Sequence, residues 1–368
     1  MAQHKDAFRW TFHPFEMSLV GYRNTGKTTL AEKLVKSFSL KLGYVKRDSH
    51  HFDMDHPGKD TAVLTQAGAS PVLISDSEHQ ALLTQTPATS PLTSVAMLEA
   101  DAVIVEGHKT SSLPKIVMLD PDRAIFDDPA LVLPPLAVVG PSPSTPNLPW
   151  PVPYFFREDV VGIGNFIRNF WTQKVKMIPV LGLVLTGGQS SRMGQDKANL
   201  DYGRGAQVQR TYDLLSTVCQ EVYVSCRSDQ RDLGARSGLP QIFDQFTGLG
   251  PLSGILSAFS QHPEAAWLVI ACDLPNLEQS QLVKLLEGRN PYRFATAFAG
   301  DDGWPEPLCA LYEPKALPRL FQFLAAGFDC PRKMLINSPI QLLPGDLRQL
   351  RNVNSSYERE EVLRDYRG

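Results

Sequence analysis

The sequence predicts an α/β protein made of two three-layer α/β/α domains. Three features carry that reading. Apolar runs that read as buried strands alternate with helix-period segments along the whole 368-residue chain. Each half places a glycine-rich loop directly after such a strand, at residues 21–28 and 186–197. The chain is also long enough for two cores of ordinary size. The two loops differ in pattern, so the halves share a class and no internal repeat.

In the first half, Ser18-Leu19-Val20 ends a strand at the first loop. A helix from about Thr28 places Leu30, Leu34, Val35 and Phe38 on one face. Residues 43–46, 71–74, 102–105 and 115–119 read as further strands of a parallel sheet covered on both faces. Residues 134–153 contain eight prolines in twenty positions. They read as a loop inside the domain, because a helix with Val160, Ile163, Ile167 and Phe170 on one face follows and needs a sheet to pack on. The joint then falls in the polar segment 172–176, giving domains 1–174 and 175–368. In the second half, residues 181–185, 221–225, 241–243, 267–271 and 294–298 read as strands, with helices such as 252–260 and 277–286 between them.

Composition narrows the function classes. The chain is 43% hydrophobic and 20% charged, an ordinary globular balance. A net charge of −3 argues against an electrostatic nucleic-acid binder. No apolar run approaches the roughly 20 residues needed to span a bilayer. Residues 1–6 lead into no apolar stretch of signal-peptide type, so a cytoplasmic protein is expected. Cys219, Cys226, Cys272, Cys309 and Cys330 are odd in number and lack CxxC spacing, which reads as reduced thiols.

The motifs carry the chemistry. Residues 21–28, Gly-Tyr-Arg-Asn-Thr-Gly-Lys-Thr, match the phosphate-loop pattern at every fixed position. In that pattern Gly21, Asn24, Thr25, Gly26, Thr28 and Thr29 wrap the phosphates. Lys27 reaches the outer oxygens, and the Thr28 hydroxyl ligates Mg²⁺. Glu106 ends an apolar strand where a metal-holding acid is expected; a capping or salt-bridged Glu is the plainer alternative. The run His50 to His56 is dense in ligand types, and a polar loop without a transition metal is the favoured reading. In the second half, Leu185-Thr186-Gly187-Gly188 passes from a strand into a loop holding Arg192, Gly194 and Lys197, which supply close backbone approach and positive charge for a triphosphate. Asp244 and Asp273 each follow a strand, with Gly250 in a glycine-rich loop between them. An acid placed as Asp273 is suited to hold Mg²⁺ on a triphosphate.

The second-half motifs, L-T-G-G-Q-S-S-R-M-G-Q-D-K, G-P-L-S-G-I, A-C-D-L-P, P-E-P-L-C-A-L-Y and N-V-N-S, resemble the molybdenum cofactor guanylyltransferase (MobA) family. The first half, with G-Y-R-N-T-G-K-T-T-L, V-K-R-D-S-H-H-F-D-M-D-H and V-I-V-E-G-H-K, resembles the molybdopterin-guanine dinucleotide biosynthesis adapter (MobB) family. The resemblance implies an N-terminal P-loop NTPase-like domain fused to a C-terminal Rossmann-like nucleotidyltransferase domain. It implies that Gly187, Gly188, Arg192, Gly194 and Lys197 hold GTP phosphates. Asp244 would lie near the nucleoside, Asp273 would bind Mg²⁺, and Asn352 and Asn354 would border the pterin. Thr186 stands where Ala is usual, Arg227 near a usual Asn, and Lys46-Arg47 for a usual Lys-His.

The implied reaction is attack of the molybdopterin phosphate on the α-phosphorus of GTP. That nucleophile is already anionic, so no catalytic His is expected. Implied partners are molybdoenzyme chaperones and apo-molybdoenzymes, with a homodimer formed through the first domain. Cytidylyl transfer from CTP, and a GTP-dependent delivery module with little transferase activity, remain as alternatives.

Overall fold

The structure is a computed structural model that describes residues 12–47, 58–84, 95–129, 131, 134–186, 197–353 and 355–365. The chain divides into two compact units, Met1–Phe170 and Trp171–Gly368.

The first unit is built on β1 (Glu16–Val20), α1 (Lys27–Ser37), β2 (Leu42–Lys46), α2 (Asp60–Gln66), β3 (Val72–Ser75), β4 (Gln80–Leu83), β5 (Ala102–Glu106), β6 (Lys115–Met118), β7 (Ala137–Gly140) and β8 (Tyr154–Phe156). α3 (Val160–Lys176) begins in this unit and runs across the division. Six strands form one sheet in the order β2-β5-β1-β6-β7-β8, all parallel. β1, β5, β6 and β7 are buried along their length, as strands covered on both faces must be. On α1 the buried residues are Leu30, Ala31 and Leu34, with Phe38 just beyond, while Val35 is 42% exposed and lies off the predicted face.

Three expectations change here. The strand at 71–74 does not join the parallel sheet: β3 pairs antiparallel with β4 in a separate two-stranded hairpin. A short apolar run reads as a buried strand, yet only Val72 of β3 is buried. The proline-rich stretch does lie within the first unit, but it contains β7 and leads directly into β8. Prolines stand on both sides of the strand, and Ala137-Val138-Val139-Gly140 supplies its buried residues. Finally, α3 continues to Lys176, through the polar segment read as a joint. That segment has no Gly or Pro to stop a helix, and Lys174 and Lys176 suit its C-terminal turn. Ile163 and Ile167 are buried as expected, while Trp171 continues the stripe in place of Phe170.

The second unit contains β9 (Val180–Leu185), α4 (Gln207–Ser216), β10 (Val222–Cys226), β11 (Gln241–Phe243), α5 (Pro251–Gln261), β12 (Ala266–Ala271), α6 (Gln279–Glu287), β13 (Ala295–Ala299), β14 (Pro305–Tyr312), α7 (Ala316–Ala325), α8 (Pro331–Ile336), β15 (Gln341–Pro344) and α9 (Ser356–Asp365). Its sheet order is β11-β10-β9-β12-β14-β13-β15. All pairs are parallel except those made by β14, which runs against both β12 and β13.

Two apolar cores explain the three layers. Leu181, Leu183 and Leu185 of β9 pack with Leu252, Ile255 and Phe259 of α5 on one side. Val184 of β9 packs with Val208 and Leu215 of α4 and Leu282 and Leu285 of α6 on the other. Alternate residues of one strand therefore serve opposite cores. All five cysteines are free thiols, four of them buried. Burial pushes the Cys226 thiol up to about 11 and Cys219 up to about 12. Among the described residues no helix is long and apolar enough to cross a membrane.

Candidate nucleotide sites

In the first unit, β1 ends at Val20 and α1 begins at Lys27, so residues 21–26 must turn between them. Asn24 and Gly26 take positive φ, 64° and 88°, the latter at a cost only glycine avoids. A Cβ on Gly21 would lie 2.7 Å from the Met118 carbonyl oxygen, so the chain passes too close to β6 for any side chain. Thr25 Oγ1 donates to the Tyr22 carbonyl at 3.0 Å, and Lys27 Nζ donates to the same oxygen at 2.7 Å. Burial, with Lys46 nearby, holds the Lys27 ammonium below the usual lysine range, against the opposing pull of Glu106. Thr29 is exposed at the start of α1.

Glu106, buried at the end of β5, is the hub of this site. Its Oε2 accepts from Thr28 Oγ1 at 2.8 Å and from the Tyr44 hydroxyl at 2.5 Å. Lys46 Nζ stands 4.0 Å from its Oε1. Burial first, then the carboxylate, pushes the Tyr44 phenol up from its ordinary value. Glu106, Lys46 and Lys27 border a cavity of 630 Å³, whose wall also carries Arg23, Arg47, His108 and Lys109. Sequence reasoning found Thr28 and Glu106 but missed Tyr44. The missing signal was the sheet order: β2 lies beside β5 in a register that pairs Lys46 with Glu106, and Tyr44 shares the Lys46 face. His50, His56 and the residues between them lie outside the described residues.

In the second unit the parallel strands β11, β10, β9 and β12 all end at one edge, and the candidate residues follow them there. Leu185 closes β9, and its carbonyl accepts from Cys272 N at 3.1 Å. Thr186 is buried, and its hydroxyl donates to the Ser225 carbonyl at 2.7 Å. Asp244 follows β11 and accepts from Ser225 Oγ at 2.8 Å. Burial raises the Asp244 carboxyl from the usual range, with the Ser225 hydrogen bond and Arg227 opposing. Gly250, at φ 55°, leads into Pro251 at the start of α5. Asp273 follows β12, and its carbonyl accepts from Val353 N at 3.0 Å, which brings half-buried Asn352 beside it. Lys197 opens a short 3₁₀ turn, Lys197–Asn199. Gly187, Gly188, Arg192, Gly194 and Asn354 lie outside the described residues.

Arg227 pairs with its neighbour Asp229 through two 2.9 Å bonds. Sequence reasoning missed two residues that bear on Thr186 and the Lys197 turn, Arg236 and Asn199. Both reach the site from irregular segments whose partners are 36 or more positions away, which no local pattern records. Among the described residues no group of three or more His, Cys, Asp or Glu is placed to hold a metal. The donors that are present, Thr28 with Glu106 and the carboxylate of Asp273, are oxygens of the kind Mg²⁺ takes alongside substrate phosphates.

Each of the two open α/β sheets ends at its carboxyl edge in a phosphate-type loop or its flanks, the position at which α/β proteins of this class take nucleotides. Residues 182–338 match the MobA-like NTP transferase domain, and residues 17–131 match molybdopterin guanine dinucleotide synthesis protein B. A probable molybdenum cofactor guanylyltransferase of Pelotomaculum thermopropionicum is 35% identical over 41% of this chain and 71% of its own length. A molybdenum cofactor biosynthesis bifunctional protein of Synechocystis is 39% identical over 49% of this chain and 53% of its own length. The chain thus spans about half the length of that bifunctional relative. The crystal structure of molybdopterin-guanine dinucleotide biosynthesis protein A from Archaeoglobus fulgidus aligns at TM-score 0.43 and 22% identity, covering 51% of this chain and 98% of that one. This chain belongs to the molybdenum cofactor guanylyltransferase family and carries a MobB domain ahead of its MobA-like domain.

Proposed function

We propose that the chain transfers GMP from GTP to molybdopterin, or to its molybdenum-loaded form, making the guanine dinucleotide of the cofactor. The observation that carries this reading is the 3.0 Å bond from Val353 N to the Asp273 carbonyl. It sets the segment expected to border the pterin against the strand end expected to serve the triphosphate. A terminal phosphate oxygen of molybdopterin forms a bond to the α-phosphorus of GTP, and the bond from that phosphorus to the β-bridging oxygen breaks. Pyrophosphate leaves with the electron pair. The attacking phosphate is already an anion, so no side chain has to remove a proton.

The work left to the protein is positioning and charge neutralisation. Lys197 and Arg192 neutralise the phosphates. The backbone of Leu185, Thr186, Gly187, Gly188, Gly194 and Gly250 lines the nucleotide, and Asp244 orients the nucleoside. Asn352 and Asn354 orient the pterin. Asp273 holds Mg²⁺, which when bound neutralises charge that builds on the leaving pyrophosphate. The first domain, to about residue 174, binds a second GTP through Lys27, Thr28 and Glu106 and serves as an adapter toward chaperones and apo-molybdoenzymes. It also makes a homodimer, and the protein works in the cytoplasm.

A turnover assay tests the reaction. The full chain is given molybdate-loaded molybdopterin, Mg²⁺ and one nucleoside triphosphate at a time, and pyrophosphate and dinucleotide are measured. Product with GTP is expected. Product with CTP alone, or none with any nucleotide despite GTP binding, overturns the guanylyltransferase reading.

A further inference from the structure

One turn grips both ends of the second glycine-rich loop. Arg236 is fully buried, and its Nε donates to Thr186 Oγ1 at 2.9 Å while Nη2 donates to the Thr186 carbonyl at 3.4 Å. Thr186 is the residue at which β9 gives way to the loop, and its hydroxyl is tied onward to the Ser225 carbonyl of β10. One residue before Arg236, the Ala235 backbone N–H donates to Asn199 Oδ1 at 2.8 Å. Asn199 closes the turn that Lys197 opens. One residue earlier again, Gly234 sits so close to Asn199 that a Cβ would lie 2.3 Å from Oδ1, at a φ of 59° that disfavours a side chain in any case. The turn is itself fixed, since Arg236 N bonds to the Leu233 carbonyl at 3.3 Å and Gln241 Nε2 donates to the Arg236 carbonyl at 3.0 Å.

We propose that residues 234–236 act as a clamp, with Arg236 and Asn199 as positioning residues for the nucleotide site. The inference rests on the nucleotidyl-transfer reading above. Holding Thr186 and Asn199 in place before a ligand arrives leaves less ordering to be done at these two positions on binding, so more of the contact energy appears as affinity. Arg236 sets where the chain leaves β9, and Asn199 sets where it returns. Thr186 and Asn199 flank the loop expected to hold the triphosphate, so the nucleotide should feel the loss of the clamp before the pterin does.

The test uses full-length Arg236→Met, Arg236→Lys, Asn199→Ala and the Met/Ala double variant, with KM measured for each substrate separately. Arg236→Met should raise KM for GTP roughly tenfold and Asn199→Ala roughly threefold, with KM for molybdopterin within about twofold of the unaltered chain. Arg236→Lys should recover part of the loss, because an ammonium can serve one of the two Thr186 oxygens. The double variant should lose less than the product of the single effects, since both act on one loop. Asn199 is exposed, so its variant decides the matter if Arg236→Met does not fold. Unchanged KM for GTP in Asn199→Ala and in folded Arg236→Met overturns the clamp. So does a parallel rise in both KM values with a fall in melting temperature. If the unaltered chain makes no dinucleotide, the reaction reading fails on its own. Calorimetry of GTP binding then decides the clamp: one of two binding events weakens in the variants, or the clamp is wrong.

Discussion

Glu106 is a buried acid and Asp244 a half-buried one, and each is held by a different set of partners. Glu106 accepts hydrogen bonds from Thr28 and Tyr44 and has Lys46 close by, which holds its carboxyl group beside the Thr28 hydroxyl expected to ligate Mg²⁺. Glu106→Gln should therefore weaken Mg²⁺-dependent GTP binding at the first site by roughly ten- to a hundredfold and leave Mg²⁺-free binding little changed. Titrations with and without Mg²⁺ check it. Asp244 is different, because burial outweighs its partners and raises its carboxyl. The folded state then holds that proton more tightly than the unfolded chain does. Between the ordinary carboxylate range and the raised value, stability falls as pH rises, and the penalty is complete above both. Asp244→Asn removes the charge and keeps an oxygen for the Ser225 hydroxyl. Its stability advantage over the unaltered chain should grow from pH 4 to pH 7 in urea titrations, while GTP affinity falls. An advantage that shrinks with pH would contradict the assignment.

At the scale of elements, the sequence was legible wherever a continuous apolar run ended directly in a turn marked by glycine or by Asp and Pro. β1, β5, β9 and β12 were found because continuous apolar runs and turn residues agree there. β14 was not found as a strand, because its prolines at 305 and 307 suggest a loop and nothing local announces an antiparallel partner. β7 hid among prolines for the same reason. The site residues at strand ends were legible, whereas Tyr44, Arg236 and Asn199 depend on which strands and turns become neighbours. Helix α5 shows how tightly such neighbours pack. A Cβ on Gly254 would lie 2.3 Å from Ser225 Oγ and 2.7 Å from Leu185 Cδ2. Gly254→Ala should cost roughly 1–3 kcal/mol by overpacking. In a unit of this size that lowers the melting temperature by roughly 2–4 °C per kcal/mol. Displacing Ser225 also loosens Asp244, so calorimetric GTP affinity should fall with stability. An unshifted melting temperature would show that α5 can move aside.

At the scale of the molecule, the hairpin β3–β4 is the element least explained by its own unit. Leu73 and Leu82 stand directly opposite each other in its register, and each is 60% exposed. A two-stranded hairpin is marginal in water, and a cross-strand leucine pair left open to solvent gains nothing from its apolar surface. A twofold-symmetric contact would cover that pair with the same pair from a second copy, as an isologous interface does. The full chain should accordingly sediment as a homodimer at micromolar concentration, and Leu73→Glu with Leu82→Glu should sediment as a monomer, since four carboxylates would face one another across the axis. Because the pair belongs to neither nucleotide site, turnover per chain in that double variant should stay within about twofold of the unaltered protein. A chain that is monomeric without the substitutions, or a variant that stays dimeric, would remove the hairpin from the interface.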